Sequence, residues 1–204
     1  MDLAFRLTSS ESFAALIHQD GHLGDPKAAR LRKNWYRRIV KHFHFKNVIT
    51  KKMFSEVAHF TEFSLNIYRG SDSSFIKFYQ FTDGYLAQQI EDSYADDVGS
   101  NPTPTRKDEN GNWDTRGHRN RLIEINDAAL EVINALSEDD SVPVDETRFI
   151  QPFSKSTLEV FRKLSSFPKL GQILKDQNGK PIWQGVSYWN ETKAQKDGII
   201  IRET

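Results

Sequence analysis

Apolar and alternating segments define the predicted elements in the first third of this chain. Residues 13–17 are continuously apolar, which is typical of a buried parallel strand, and the polar residues 18–22 would form a functional loop at its carboxyl end. Asp25 followed by Pro26 predicts a helix start, with an N-cap and a proline in the first turn. Apolar residues then recur every three or four positions, which predicts an amphipathic helix of about four to five turns. Its apolar stripe comprises Ala28, Leu31, Trp35, Ile39 and Phe43.

Two strands are predicted after this helix. Residues 60–68 alternate between polar and apolar positions, which places Phe63, Leu65 and Ile67 on the apolar side. Residues 75–81 form a second strand-like run after the turn at residues 69–74. Because such a connection is too short for a parallel crossover, the two strands are predicted to pair as an antiparallel hairpin.

The second half of the chain alternates between loops and short regular elements. Residues 96–117 are rich in Gly, Pro, Asn and Asp, which indicates a loop. Residues 121–125 resemble a strand, and Asn126 or Asp127 would cap a helix over residues 128–136. Another loop leads to a helix over residues 156–164, which is capped by Ser154 or Ser156 and ends before Pro168.

Composition excludes several functional classes. The chain has no cysteine, which excludes disulfides, thiolate metal sites and a catalytic cysteine. No apolar run approaches the roughly 20 residues of a membrane span, and the N-terminus does not resemble a signal peptide. We therefore expect a cytoplasmic protein that does not contact a membrane.

The basic residues are strongly clustered although the whole chain has no net charge. Ten cations and no acid lie between Asp25 and Glu56: Lys27, Arg30, Arg32, Lys33, Arg37, Arg38, Lys41, Lys46, Lys51 and Lys52. Contacts with nucleic-acid phosphates would explain such a stretch, because each contacting cation releases condensed counterions. A solvated helix face whose charges are balanced elsewhere in the fold explains it equally well.

No catalytic or cofactor motif is complete. The sequence contains no glycine-rich cofactor loop, P-loop or nucleophile elbow. Residues 101–104 (NPTP) only superficially resemble the Asn-Pro-Pro-aromatic signature of amino-methylating enzymes. The pairs His18/His22 and His42/His44 have ligand-like spacing but no third ligand, so no metal site is predicted.

Two further polar segments have more than one interpretation. The residues around Arg116 suit phosphate contacts or a structural loop equally well. In the tail, Trp189 could stack on a base, and nearby polar side chains could hydrogen-bond base edges. A capped turn packed by Trp189 is the alternative. The candidate recognition residues are Trp189, Asn190, Glu191 and Gln195.

Several segments together resemble a known family. Residues 13–22, 24–47 (GDPKAARLRKNWYRRIVKHFHFKN) and 53–70 (MFSEVAHFTEFSLNIYRG) resemble the second half of the catalytic domain of large DNA adenine-N6 methyltransferases. These are the fused restriction–methylation (type IIG-like) enzymes and related phage-defence proteins. Residues 107–125 and 188–204 are also similar to that family, so the resemblance extends over nearly the whole chain in the expected order.

The resemblance implies an α/β fold. It implies the C-terminal part of a doubly wound methyltransferase sheet, ending in an antiparallel hairpin at residues 60–81 and followed by a mixed, partly helical segment. Residues 13–17 would be a late core strand, with the basic helix as its crossover. Residues 1–85 would form the second half of the methyltransferase core and residues 86–147 a loop-rich insertion with a strand and a helix. Residues 148–204 would form a helical connector and the start of a target-recognition segment.

The resemblance also implies a DNA-facing role. His59 and Phe60 would form a wall of the pocket for the flipped adenine, because an extruded base must be stacked to recover its lost stacking. Cations that point away from the sheet, together with the Arg116 region, are candidates for DNA contacts: Lys27, Arg30, Lys33, Arg37, Lys41, Arg116 and Arg119. Duplex DNA is the expected partner.

The chain departs from the family in its catalytic motifs. The family uses S-adenosylmethionine, but neither a glycine-rich loop for that methyl donor nor the Asn-Pro-Pro-aromatic tetrapeptide is present. We therefore expect a fragment that cannot methylate alone and that needs a missing N-terminal half as its second partner. The alternatives are a non-enzymatic nucleic-acid-binding module and a protein-interaction module whose basic helix docks on an acidic surface.

Overall fold

A computed structural model describes residues 1–48, 53–96, 102–180 and 182. The chain divides into two compact units, Met1–Phe167 and Pro168–Thr204. The first unit is an α/β structure with one five-stranded mixed sheet. Its helices and strands are α1 (Asp2–Leu7), β1 (Phe13–His18), α2 (Gly21–Gly24), α3 (Ala29–Arg38), β2 (Ile39–Asn47), β3 (Thr61–Arg69), β4 (Lys77–Gly84), α4 (Gln88–Ala95), β5 (Ile123–Asn126), α5 (Asp127–Ser137) and α6 (Lys155–Ser165).

The strand order β1-β3-β2-β4-β5 combines both pairing directions. Strand β3 pairs antiparallel with β1 and with β2, so β1 and β2 run parallel to each other and are connected through α2 and α3. Strand β4 pairs parallel with β2, and β5 pairs antiparallel with β4. The sheet is therefore mixed rather than mostly parallel.

The predicted hairpin between residues 60–68 and 75–81 is wrong. Strand β2 lies between β3 and β4, so these two strands do not pair with each other. The connection after β3 crosses the junction between α3 and β2, where the Ser73 N–H donates to the Arg37 carbonyl at 2.9 Å. The connection of seven residues, 70–76, is long enough to step over one strand, since neighbouring strands lie only about 5 Å apart.

The basic helix is shorter than its apolar spacing predicts. It ends at Arg38, and Ile39 adopts an extended conformation that begins β2 directly. From Ile39 onward the sequence has β-branched and aromatic residues with a period of two, which favours a strand over a helix. Within α3, Leu31 is exposed, whereas Arg32 is buried and donates to the backbone carbonyls of His22, Asp25 and Glu146.

Strand β1 forms as predicted but is not a buried parallel strand. It lies at the edge of the sheet and pairs antiparallel with β3. Phe13 and Ile17 are 67% and 58% exposed, while Ala14 and Leu16 on the other face are half-buried. The continuous apolar sequence of β1 therefore supplies one half-buried face and one exposed face.

The predicted helix caps are confirmed. The side chains of Asp25, Asn126 and Ser154 accept hydrogen bonds from the first-turn N–H groups of the helical segments that follow them. Such caps satisfy donors that have no partner inside a helix. Residues 86–147, predicted as an insertion, contribute β5 and α5 to the same sheet and core.

Two apolar clusters cover opposite faces of the sheet. The larger surrounds Trp35 and includes residues of α3, α5 and α6. The smaller comprises Phe43, Phe45, Phe63, Phe81 and Leu122. In the second unit, α7 (Leu170–Ile173) is followed by a turn in which Asp176 accepts the N–H groups of Asn178 and Lys180.

Candidate nucleic-acid interface

An open cleft of about 530 Å³ lies at the carboxyl end of the parallel strands. Strands β1, β2 and β4 all end at this edge, and the antiparallel β3 begins there. In open α/β sheets this edge is where ligands bind. The cleft is lined by the segment after β1, by the start of β3 and by residues from the β2 and α5–α6 regions: Gln19, Asp20, Gly21, Leu23, Gly24, His44, Phe60, Thr61, Glu62, Phe149 and Gln151.

Asp20 joins three strands at the floor of the cleft. Its Oδ2 atom lies 3.0 Å from His42 Nε2, and its Oδ1 atom accepts the Ser64 hydroxyl. Asn66 Nδ2 donates in turn to Ser64 Oγ at 2.6 Å. Burial alone would raise the pKa of the Asp20 carboxyl, but the hydrogen bonds from His42 and Ser64 outweigh it and lower the pKa to about 2. Asp20 is therefore ionised at neutral pH.

The polar face of β3 is buried more completely than the face predicted to be apolar. Ser64, Asn66 and Tyr68 have no exposed surface, whereas Leu65 and Ile67 are only half-buried. Alternation identified this strand but could not show that its polar side chains would meet Asp20 and the histidines of β2. The only sequence signal for this arrangement was the spacing of two residues between His42 and His44, which places both on one face of β2.

Two histidines near the cleft, His22 and His44, favour their neutral form. Burial, followed by the nearby His18, lowers the pKa of His22 to about 4. Burial and repulsion from His42 lower the pKa of His44, although the nearby carboxylates of Asp20, Asp83 and Glu62 oppose the shift. Within the described ranges, no three His, Asp or Glu side chains are arranged to hold a metal ion.

Phe60 is an exposed aromatic residue at the rim of the cleft. Its side chain is 50% exposed and its φ of 65° is in the left-handed region, while its N–H donates to the Asn47 carbonyl at 2.8 Å. Such a backbone conformation costs about 1–3 kcal/mol in a bulky residue. The His59 ring lies 3.8 Å from the Phe60 ring, centroid to centroid. The structure thus places Phe60 in the cleft lining, with His59 against its ring.

The predicted DNA-contacting cations differ in their neighbours. Lys33 and Arg37 both lie 3.2 Å from the Asp145 carboxylate. Lys41 lies on β2 with its ammonium 4.9 Å from the centre of the Tyr94 ring. Lys27 and Arg30 are exposed at the start of the basic helix.

The remaining two candidates lie in the loop before β5. Arg116 forms two hydrogen bonds with the Asp114 carboxylate, at 3.0 and 2.6 Å. Arg119 is exposed, and its backbone N–H donates to Asp96. Several cations of the predicted set are therefore balanced by acids that are distant in sequence or in the same loop.

Sequence reasoning missed residues of the loop beside Phe60. The Trp113 ring packs edge-on against Phe60, with centroids 5.8 Å apart, and the Lys107 ammonium lies 3.5 Å from the Trp113 ring centre. Arg106 Nε is 2.5 Å from Asp83 Oδ2. The loop composition indicated a turn-rich segment, and nothing in it identified its spatial neighbour. The candidate recognition residues Trp189, Asn190, Glu191 and Gln195 lie outside the described residues.

The residues of this cleft do not fit S-adenosylmethionine. The turn after β1 begins Gln19-Asp20-Gly21, and the Asp20 carboxylate is already bound by His42 and Ser64. Glu62 is held by Lys46 at 2.7 Å. No step of methyl transfer is therefore assigned to this cleft.

The fold and the cleft together define an α/β protein with a polar, aromatic-rimmed cleft at the carboxyl edge of a mixed sheet. No protein-family model, curated protein or solved structure matches this chain. None of the helices in the described ranges combines the length and apolarity needed to cross a membrane.

Proposed function

We propose that this chain is a DNA-contacting portion of an adenine-N6 DNA methyltransferase of the restriction–modification type, in which Phe60 stacks on the displaced target base. The observation that carries the proposal is the exposed Phe60 ring on the rim of a cleft at the carboxyl ends of parallel strands. An extruded base loses its stacking in the duplex and recovers part of it against an aromatic side chain. The cleft volume of about 530 Å³ is within the range of small-ligand sites.

One strand connection supports the same proposal. The resemblance implies a late core strand, a crossover helix and an antiparallel terminal hairpin. Strands β1 and β2 are parallel and joined through α3, and the antiparallel β3 follows. The proposal does not depend on the predicted hairpin, which is absent.

The methyl donor and the catalytic motif are proposed to lie in a second polypeptide segment. S-adenosylmethionine would supply the methyl group there. The residues of this chain would bind and orient the base: Phe60 covers one ring face, and Asp20 fixes the cleft floor through His42 and Ser64.

Base stacking can be tested with duplexes that differ in one base pair. A mismatched base is easier to extrude than a paired one, so the chain should bind a mismatched duplex more tightly than its matched form. Phe60→Ala should reduce this preference about 5- to 150-fold, because stacking contributes about 1–3 kcal/mol per base. Phe60→Trp should retain it. Phe75→Ala is the matched control, since Phe75 is equally exposed at 54% but lies away from the cleft.

Two results would contradict the proposal. The first is an equal effect of Phe60→Ala and Phe75→Ala on the mismatch preference. The second concerns reconstitution with a soluble polypeptide that binds S-adenosylmethionine and carries the catalytic tetrapeptide of the same system. Absence of methyl transfer to adenine in that mixture would leave a non-enzymatic nucleic-acid-binding module as the better explanation.

A further inference from the structure

The loop next to Phe60 is fixed by hydrogen bonds. The Asp108 carboxylate accepts the N–H groups of Asn110 and Asn112 at 2.9 and 2.8 Å. The Asp108 N–H donates to the Asn112 carbonyl at 2.8 Å, and a β-bridge joins Lys107 to Trp113. These bonds form a short hairpin that holds Lys107 and Trp113 in fixed positions.

The hairpin packs against the rim of the cleft. The Trp113 ring meets Phe60 at an interplanar angle of 81°, and on another side it lies 5.0 Å from the Tyr85 ring, centroid to centroid. Tyr85 is buried, so Trp113 is anchored to the interior as well as to the rim. Trp113 therefore supports the Phe60 ring from the side of the hairpin.

Lys107 contacts an aromatic ring, whereas the other cations near the cleft form ion pairs with carboxylates. Arg106 is paired with Asp83, Lys46 with Glu62 and Arg116 with Asp114. In the described part of the chain, no carboxylate lies within ion-pair distance of Lys107, whose ammonium instead rests on the Trp113 ring. An aromatic face orients an ammonium without neutralising it, so its charge remains available to an anion.

We infer that Lys107, seated on Trp113, contacts a DNA backbone phosphate next to the nucleotide whose base stacks on Phe60. A nucleotide rotates out of the duplex about its own backbone, so a cation beside the base wall lies near the adjoining phosphates. Such a contact would position the strand without reading its sequence. The inference rests on the proposed function and extends it from the base to the backbone.

The salt dependence of DNA binding tests this contact. Affinity is measured by fluorescence anisotropy with a matched and a mismatched duplex between 50 and 200 mM salt. Lys107→Gln should lower the slope of log K against log salt by about 1, and Lys107→Arg should retain it. Lys77→Gln is the control, because Lys77 is half-exposed on β4 and paired with Glu124 at 3.3 Å. Its slope should equal that of the unchanged protein.

The two proposals predict different outcomes for their variants. Lys107→Gln should keep the preference for the mismatched duplex, whereas Phe60→Ala should lose that preference and keep the salt slope. If Lys107→Gln retains the original slope, the phosphate contact is wrong while base stacking stands. If Phe60→Ala has no effect and Lys107→Gln lowers the slope, the phosphate contact stands and base stacking is wrong. Absence of DNA binding at the lowest salt would overturn both.

Discussion

The Nε2 atom of His42 lies 3.0 Å from the Oδ2 atom of Asp20 in a region almost closed to solvent. The other Asp20 oxygen accepts the Ser64 hydroxyl. One carboxylate therefore connects the end of β1 to the middle of β2 and of β3. Because all three strands border the cleft, the shape of its floor depends on this ionised group.

Asp20→Asn should destabilise the first unit by roughly 1.5–3 kcal/mol at pH 7, the range for hydrogen bonds to a charged group. The asparagine amide has one acceptor oxygen where the carboxylate has two. Either His42 or Ser64 would therefore lie against the amide NH2 group, which is a donor, and would lose its hydrogen bond. The folded-state pKa is lowered from 3.8 to about 2, so this stabilisation is present above about pH 4 and is lost as pH falls towards 2. Urea unfolding at pH 7 and in this acid range measures both effects.

The control for this variant is Asp72→Asn, which removes the exposed partner of Arg38. Surface ion pairs contribute little, so its cost should stay within about 1 kcal/mol. Equal, small effects of the two substitutions would refute the bridging role of Asp20.

Acidification should also destabilise the fold through His22. Its pKa is lowered from 6.5 to about 4 by burial and by His18, so the folded state disfavours the proton. The resulting stabilisation is complete above about pH 6.5 and is lost as pH falls towards 4. His22→Phe keeps a ring against Trp35, which lies 5.8 Å away, and should flatten the dependence of Tm on pH in this window. An unchanged pH dependence in this variant would show that His22 is not responsible.

Asp145→Asn should strengthen DNA binding at low salt. The substitution releases Lys33 and Arg37 from their shared carboxylate, so up to two more cations could meet phosphates. The salt slope should then steepen by up to about 2, while stability changes by less than about 1 kcal/mol. Conversely, Arg30→Gln removes an exposed cation and should make the salt slope of DNA binding shallower.

Asp140→Asn provides the matched control for this charge change, because Asp140 is an exposed acid in the same segment. It changes net charge equally without releasing Lys33 or Arg37. If both variants steepen the slope to the same extent, net charge rather than the released pair explains the effect.

Phe60→Gly should be more stable than Phe60→Ala by about 1 kcal/mol. Both variants lack the ring, but only glycine adopts a φ of 65° without strain. Both should lose the preference for a mismatched duplex to the same extent. Equal unfolding free energies of the two variants would show that this backbone position is not strained.

Local signals predicted the local structure well. Asp25, Asn126 and Ser154 identified helix starts because capping depends on residues within one turn. The end of α3 was missed because the apolar spacing continues by coincidence into β2. Strand pairing failed for a different reason, since insertion of β2 between β3 and β4 is decided by contacts distant in sequence.

Only part of the candidate site could be predicted from the sequence. The family resemblance pointed to His59 and Phe60, and Phe60 does line the cleft. The charge balance of the basic helix could not be predicted, because Asp145 lies 108 residues from Arg37. The contact between the Lys107 ammonium and the Trp113 ring could not be predicted either. It depends on a hairpin whose position beside Phe60 is set by tertiary contacts.

Strand β1 forms an edge at which the sheet could be extended by a further strand. It has no charged residue and no proline, and in the described residues only β3 pairs with it. Natural edge strands usually carry such residues to prevent pairing with other chains. A strand of a second molecule that paired here would become part of the same cooperative unit. The unfolding midpoint would then depend on protein concentration, as it does for folded assemblies in general.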